Sequence, residues 1–219
     1  VVRAFRAIST DVTAETCLHY LLFTEDDVAR VGVDAKINPP IRTHHDQDAL
    51  WEGIADGTLS VVSTDHAPFT RREKDAVNGD MLAAPPGSPG LEFLVPAMLD
   101  NVAAGRLTLP QAVRLLSTNG AARFGLAPER GEIRPAAVAD FTIVDPVGET
   151  DVDAPRLMTA ARDCAGLYAG RRFRGRVAAT VVGGQVVYDG HEGVGRPGGG
   201  AFVAPAGRGG QREAADLGW

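Results

Sequence analysis

Over the first 65 residues the apolar positions alternate between helical and strand-like spacing. Val1, Val2, Phe5 and Ile8 recur near the helical period and predict the end of an amphipathic helix. Residues 11–17 follow as a short strand. Thr24 then stands ahead of Glu25, Asp26 and Asp27, a cap followed by three acids where the helix dipole favours negative charge, so a helix is predicted there. Residues 35–38 predict a second strand, stopped by Pro39-Pro40. Asp46 is placed to cap a helix that carries Leu50, Trp51 and Ile54 on one face and ends at Gly57. Leu59–Thr64, with β-branched Val61, Val62 and Thr64, predicts a third strand covered on both faces. Pro68 cannot continue a ladder, so this strand must end near Asp65. Helix, strand, helix, strand, helix, strand implies right-handed crossovers and a parallel α/β sheet.

Residues 66–90 break that rhythm. They form a long loop with Arg71, Arg72, Glu73 and Lys74 and then the run Ala-Pro-Pro-Gly-Ser-Pro-Gly at 84–90. A loop of this length inside a compact domain is more often functional than idle. Leu91, Leu94, Val95, Met98, Leu99 and Val102 keep helical spacing and predict a core-facing helix, with a kink at Pro96. Thr108 and Gln111 have the form of a capping box ahead of Val113, Leu115 and Leu116. Residues 119–124 read as a short helix closed by Gly125. From Gly131 the signal is β. Residues 141–144 predict a strand bounded by Asp145-Pro146, and 177–182 and 185–188 flank Gly183-Gly184, a two-residue hairpin signal because both glycines accept positive φ. The pattern divides the chain into an α/β body over 1–130, a β module over 131–190 and a Gly-, Pro- and Ala-rich tail over 191–219 that is expected to be disordered.

Composition narrows the function classes. With 219 residues, 44% hydrophobic and 23% charged, the chain reads as ordinary globular protein. The net charge of −6 and the lack of a basic stretch interleaved with aromatics argue against a nucleic-acid partner. No apolar run reaches the roughly 18 residues a membrane helix needs, so no membrane partner is expected. Cys17 and Cys164 are too few for a disulfide framework and, with no signal peptide, imply a reducing cytoplasm. The chain begins Val1-Val2 with no initiator methionine, which suits a processed, cropped or partial sequence.

Asp65 is the principal candidate for chemistry. In α/β folds ligands bind at the C-terminal ends of parallel strands, and a carboxylate there binds a metal or moves a proton. The competing reading is a turn cap. His66 points away from Asp65 if the backbone stays extended. His19 reads first as a packing histidine or one behind a ligand shell, and His44-His45 as solvated or capping residues, with ligation as the alternative for each. The five histidines include no HxH and no HExxH, so spacing gives no stand-alone zinc site. Ser63 and Thr64 lack a GxSxG elbow, which argues against a serine hydrolase. Asn38, held by two prolines, either contacts a substrate carbonyl or NH or forms an Asx turn. The 84–90 loop either brings backbone NH and C=O groups to a flat polar ligand or is a tolerant surface loop.

Seven ordered segments resemble one family: TAETCLHYLLFTEDDV (13–28), AKINPPIR (35–42), ALWEGIADGTL (49–59), STDHAPFTRREKD (63–75), PPGSPGLE (85–92), LLSTNGAARFGL (115–126) and AVADFTIVDP (137–146). Together they are similar to the cyclic amidohydrolases, the group of dihydroorotase, allantoinase and hydantoinase/dihydropyrimidinase, over residues 1–190. The resemblance implies the C-terminal half of a metal-bearing (β/α)8 barrel plus the C-terminal part of a small β-sandwich. Asp65 matches the aspartate that ends the eighth barrel strand, where it ligates metal and shuttles a proton. Asn38 matches a substrate-contacting position of dihydroorotases, and Pro86, Gly87 and Gly90 lie in the loop whose backbone meets the substrate ring. The implied cofactor is zinc, one or two divalent ions, and the implied substrate a cyclic amide or ureide. The implied assembly is a homo-oligomer, or association with a missing N-terminal half. The departures matter equally. The family's HxH pair, its carboxylated lysine or aspartate and its two later histidines have no counterpart here. Leu18 replaces a proline, and Phe69 stands where dihydroorotases carry a histidine, as it often does in hydantoinases. A non-catalytic homologue that works through its interfaces is the second reading.

Overall fold

The computed structural model describes residues 1–8, 11–195 and 200–205. The described residues fold as two compact units, one drawn from 1–112 with 145–176, the other from 113–144 with those described from 177 to 205. The sequence-level division at 130/131 therefore differs from the observed one: residues 145–176 cluster with the α/β body.

In the first unit, α1 (Val2–Ala7) buries none of its side chains. It is tied down by Arg3, whose Nε donates to Asp56 Oδ2 at 2.7 Å, and by Arg6, which donates to the Gly57 carbonyl. β1 (Glu15–Cys17) runs directly into α2 (Leu18–Leu22). α3 (Glu25–Val31) starts at a capping box in which Thr24 takes the Asp27 N–H and Asp27 takes the Thr24 N–H. α4 (His44–Ala55) is capped by Thr43, with Asp46 three residues in as the reciprocal partner. The expected cap was Asp46; the Thr43 hydroxyl is better placed because its own backbone is extended, as a cap requires. β2 (Val61–Ser63) pairs with β1 in parallel, with Glu15, Thr16 and Cys17 opposite Val61, Val62 and Ser63.

The predicted strand at 35–38 does not form. Gly32–Ala35 is a 3₁₀ turn, the Asn38–Pro39 peptide is cis, and the Lys36 carbonyl accepts the Gly87 N–H at 2.8 Å. The apolar signal was real, since Ile37 and Ile41 are buried, but the backbone pairs with a loop. Two parallel strands, not three, are therefore present among the described residues of this unit.

Within 66–90 a short helix, α5 (Arg71–Asp75), starts at a Thr70–Glu73 capping box. A 3₁₀ turn at Leu91–Phe93 leads into α6 (Leu94–Ala103). Pro96 does not interrupt α6. It lies in the first turn, where N–H groups have no intrahelical acceptor, so its missing donor costs little. The core gathers around Tyr168, which is fully enclosed, edge-on to Phe23 (5.0 Å, 85°) and stacked on Phe93 (4.2 Å, 29°). Each such buried aromatic contributes about 2 kcal/mol of burial. The Glu92 carboxylate accepts the N–H groups of Met158 (3.0 Å) and Thr159 (2.9 Å), which fixes the 157–160 segment.

α7 (Leu109–Val113) begins at the Thr108–Gln111 capping box. In the second unit a π turn (Arg114–Thr118) and α8 (Asn119–Arg123) follow, and Gly125 closes the helix at φ 71°. β3 (Phe141–Asp151), β4 (Arg172–Val182) and β5 (Gln185–Tyr188) form a sheet in that order. β4 and β5 are antiparallel across Gly183-Gly184, at φ 57° and 81°, the hairpin the sequence predicts. β3 runs through Asp145-Pro146 rather than stopping there. Asp145 Oδ1 accepts the N–H groups of Val147 and Gly148, which supplies partners beside the proline. Part of the expected disordered tail is ordered: Val194 N–H donates to Val187 at 3.0 Å and Gly193 pairs with Tyr188. Residues 196–199 and 206–219 of that tail lie outside the described residues. Among the described residues no helix is long and apolar enough to cross a membrane.

Candidate functional site

Parallel register brings the candidate residues together. Cys17 sits opposite Ser63. Two residues further on, the same two chain segments carry His19 and Asp65. Asp65 leaves the strand at φ 45°, a left-handed conformation that Asp and Asn tolerate better than most residues. The Thr64 hydroxyl accepts the His66 N–H at 3.1 Å across this bend. The strand ends at Ser63, two residues short of Asp65 and near the expected stop, and Asp65 is exposed. One ligating atom from each of Cys17, His19 and Asp65 lies within 4.8 Å of the other two.

The electrostatics of the cluster follow from depth. His19 is buried at 3% exposure, and its Nε2 has no hydrogen-bond partner among the described residues. Burial pushes its pKa down to about 4, against an opposing pull from the Asp65 charge, so the ring is neutral at pH 7 and offers a lone pair. Burial pushes the Cys17 thiol up, partly opposed by its 3.4 Å contact with the Ser63 hydroxyl. Tyr20, edge-on to His19 at 4.1 Å, donates its hydroxyl to the Pro39 carbonyl at 2.7 Å, and burial pushes its phenol up to about 12.

The 84–91 segment is pinned beside this strand end. His66 Nδ1 accepts the N–H groups of Gly90 (3.1 Å) and Leu91 (3.3 Å), and Ala67 N–H donates to the Ser88 carbonyl at 3.3 Å. Gly87 and Gly90 are buried where backbones converge. A Cβ at Gly87 would stand 2.4 Å from the Ala67 carbonyl oxygen and 2.8 Å from the Phe69 ring, and one at Gly90 would stand 3.0 Å from the Thr64 carbonyl oxygen. Pro86 is exposed between them and Lys74's anchor at Pro85. Asn38 is exposed two residues beyond Lys36, the acceptor for Gly87, so the chain delivers it beside the same loop.

Lys74 is wholly buried, with no carboxylate bonded to it among the described residues. Its ammonium donates to the Val33 (3.0 Å) and Pro85 (2.8 Å) carbonyls, and burial pushes its pKa down. Neighbouring Arg71 holds both oxygens of Asp34 and the Asp163 carbonyl. Replacing Lys74 by Met removes the ammonium donor from the half-buried Pro85 carbonyl and leaves the Val33 carbonyl with the Lys36 N–H alone, at 3.2 Å. A loss of about 2 kcal/mol in urea unfolding is expected; a variant as stable as the parent would remove Lys74 as the anchor of the loop.

Comparison with known proteins places this geometry. The amidohydrolase family model matches residues 100–188. An allantoinase of Rubrobacter xylanophilus is 40% identical over 213 residues, 97% of this chain and 46% of that protein. A dihydroorotase of a Geobacter species is 40% identical over 188 residues, 86% of this chain and 43% of that protein. A D-hydantoinase structure superposes with a TM-score of 0.85 at 30% identity, over 92% of this chain and 45% of that one. The chain is thus similar to part of an amidohydrolase. It spans a little under half the length of the relatives it matches, and its parallel β1–β2 pair with flanking helices corresponds to part of an amidohydrolase barrel.

That similarity raises the question of metal, because the amidohydrolase family is metal-dependent. The donor set fits a divalent ion in kind: an imidazole with an unpartnered nitrogen, a thiol and a carboxylate. His44 is exposed on α4, 3.7 Å from Asp26, and His66 is engaged with the loop. Sequence reasoning set Asp65 apart, read His19 first as a packing histidine or one behind a ligand shell with ligation as the alternative, and gave Cys17 no role in a site. The signal available was Cys-x-His directly after a predicted strand. For the two N–H bonds that His66 receives, no sequence signal existed.

Proposed function

We propose that this chain supplies the carboxylate side of a metal-dependent hydrolase that opens cyclic amides or ureides, of the dihydroorotase/allantoinase type. The observation that carries the reading is Asp65, exposed at the end of a parallel strand and facing His19 and Cys17, in a chain 40% identical to both an allantoinase and a dihydroorotase. Zinc is the proposed ion, with Asp65 as its ligand from this chain. When bound, such an ion supplies Lewis acidity toward the ring carbonyl and lowers the pKa of water. Asp65 takes the proton of the attacking water and returns it to the leaving ring nitrogen. Asn38 and the backbone at Pro86, Gly87 and Gly90 hold the ring. The further histidine ligands come from barrel strands outside this sequence, through the rest of the polypeptide or a second subunit. Two free cysteines support a reducing, cytoplasmic setting.

Phe69 favours a second substrate within the class. Its ring faces Gly87 and lies 5.6 Å from the Lys74 ammonium. A phenyl ring at this position does not recognise a substrate carboxylate, which suits a neutral hydantoin or dihydropyrimidine. A hydrolysis panel of dihydroorotate, allantoin, hydantoin and dihydrouracil with the complete polypeptide decides between them. Turnover of any one supports the hydrolase. Turnover of none, in a folded, metal-loaded protein, leaves the interface-only homologue.

A further inference from the structure

We propose that Cys17 and His19 join Asp65 as direct ligands of one divalent metal ion, a thiolate–imidazole–carboxylate site held entirely by this chain. It shares Asp65 with the hydrolase reading but does not need the reaction. Three observations support it. The parallel register Cys17↔Ser63 sets the two chain segments side by side, so that His19 and Asp65, each two residues further on, meet at the same end of the strand pair. The three ligating atoms already lie within 4.8 Å of one another. A tetrahedral ion with bonds of about 2.0–2.3 Å spaces its ligands by roughly 3.3–3.8 Å, so closure needs at most about 1–1.5 Å of side-chain adjustment. The third observation is the His19 Nε2, buried with no partner among the described residues. Buried polar atoms are nearly always satisfied, and an absent ion is one standard reason for an orphan.

The chemistry is self-consistent. A neutral imidazole needs no deprotonation to ligate. Cys17 gives up its proton to solvent when the metal–sulfur bond forms, and Ser63 Oγ, 3.4 Å from the sulfur, is placed to donate to the resulting thiolate. Three protein ligands leave a fourth position open, as in catalytic rather than structural sites.

Cobalt(II) tests this directly, since a thiolate ligand gives a charge-transfer absorption in the near ultraviolet that oxygen and nitrogen ligands do not. The reduced 219-residue chain is titrated with cobalt chloride, and stoichiometry is read by elemental analysis. One equivalent with the thiolate band is expected. Cys17→Ser removes the band while Cys164→Ser keeps it, and His19→Gln raises the cobalt Kd at least tenfold with the far-ultraviolet circular dichroism unchanged. Cobalt binding without a thiolate band, a band that survives Cys17→Ser, or no binding at millimolar cobalt by a folded chain would each overturn the proposal. Ring hydrolysis by a complete polypeptide whose Cys17→Ser variant binds metal equally well would overturn this site and leave the hydrolase reading standing. A thiolate band with no hydrolysis in the complete polypeptide would do the reverse.

Discussion

Asp65→Asn in the complete polypeptide lowers kcat for ring hydrolysis by about 10³-fold with the fold retained. The magnitude is that of removing a positioned general acid–base group, before any loss of metal is added. Asparagine is the informative replacement. It tolerates the φ of 45° that Asp65 adopts and keeps the side chain's size, so backbone strain does not confound the result. Alanine at the same position loses the carboxylate and also meets the left-handed backbone. Single-turnover hydrolysis with metal content measured on the same sample separates a lost proton shuttle from a lost ligand. An Asp65→Asn variant that turns over at the parent rate removes Asp65 from the mechanism.

Gly87→Ala has the second largest expected effect, and through a different cause. The new methyl would stand 2.4 Å from the Ala67 carbonyl oxygen and 2.7 Å from the Ala67 Cβ, both fixed close to the strand end. Neither is the far end of a flexible side chain, so the loop must move. Overpacking of this kind costs about 1–3 kcal/mol. The displaced loop also carries the backbone proposed to hold the ring, so KM rises about tenfold while kcat, set by Asp65, changes less. Gly120→Ala in α8 is the control. Nothing lies within 4 Å of its Cβ position, and it is expected to stabilise slightly, by up to about 1 kcal/mol, through helix propensity. A Gly87→Ala protein with parent stability and parent KM would show that the loop is not braced against the strand end.

The parts of this molecule that the sequence made legible are those where one residue type forces one outcome. Pro68 closes off a β-branched run, so the strand had to stop before it, and it does so at Ser63, two residues ahead of Asp65. Gly183-Gly184 between two apolar runs had to be a hairpin. Thr108 with Gln111 had to cap. The parts that stayed hidden depend on residues distant in sequence. Residues 35–38 have strand-like composition but form no ladder, because the Lys36 carbonyl is taken by Gly87, fifty-one positions on. The Thr43 cap was missed because Thr, His, His and Asp all stand at the helix start and only backbone angles decide among them. α5 was lost inside a long loop because five residues are too few for a periodic signal. His66 and Lys74 bond to backbone groups, and backbone partners leave no trace in side-chain pattern. The same holds for the Cys17–His19–Asp65 cluster: Cys-x-His is visible in the sequence, but its meeting with Asp65 follows only from the register of β1 on β2.

The proposed role of this chain is as part of a metal-dependent cyclic-amide hydrolase. The most direct test is ring-opening by the complete polypeptide, purified, stripped of metal and then titrated with zinc, followed for dihydroorotate, allantoin, hydantoin and dihydrouracil in parallel. The account predicts that one ring is opened, that turnover rises with zinc to a fixed stoichiometry, and that Asp65→Asn abolishes it. Folded, zinc-loaded protein that opens none of the four rings would contradict it.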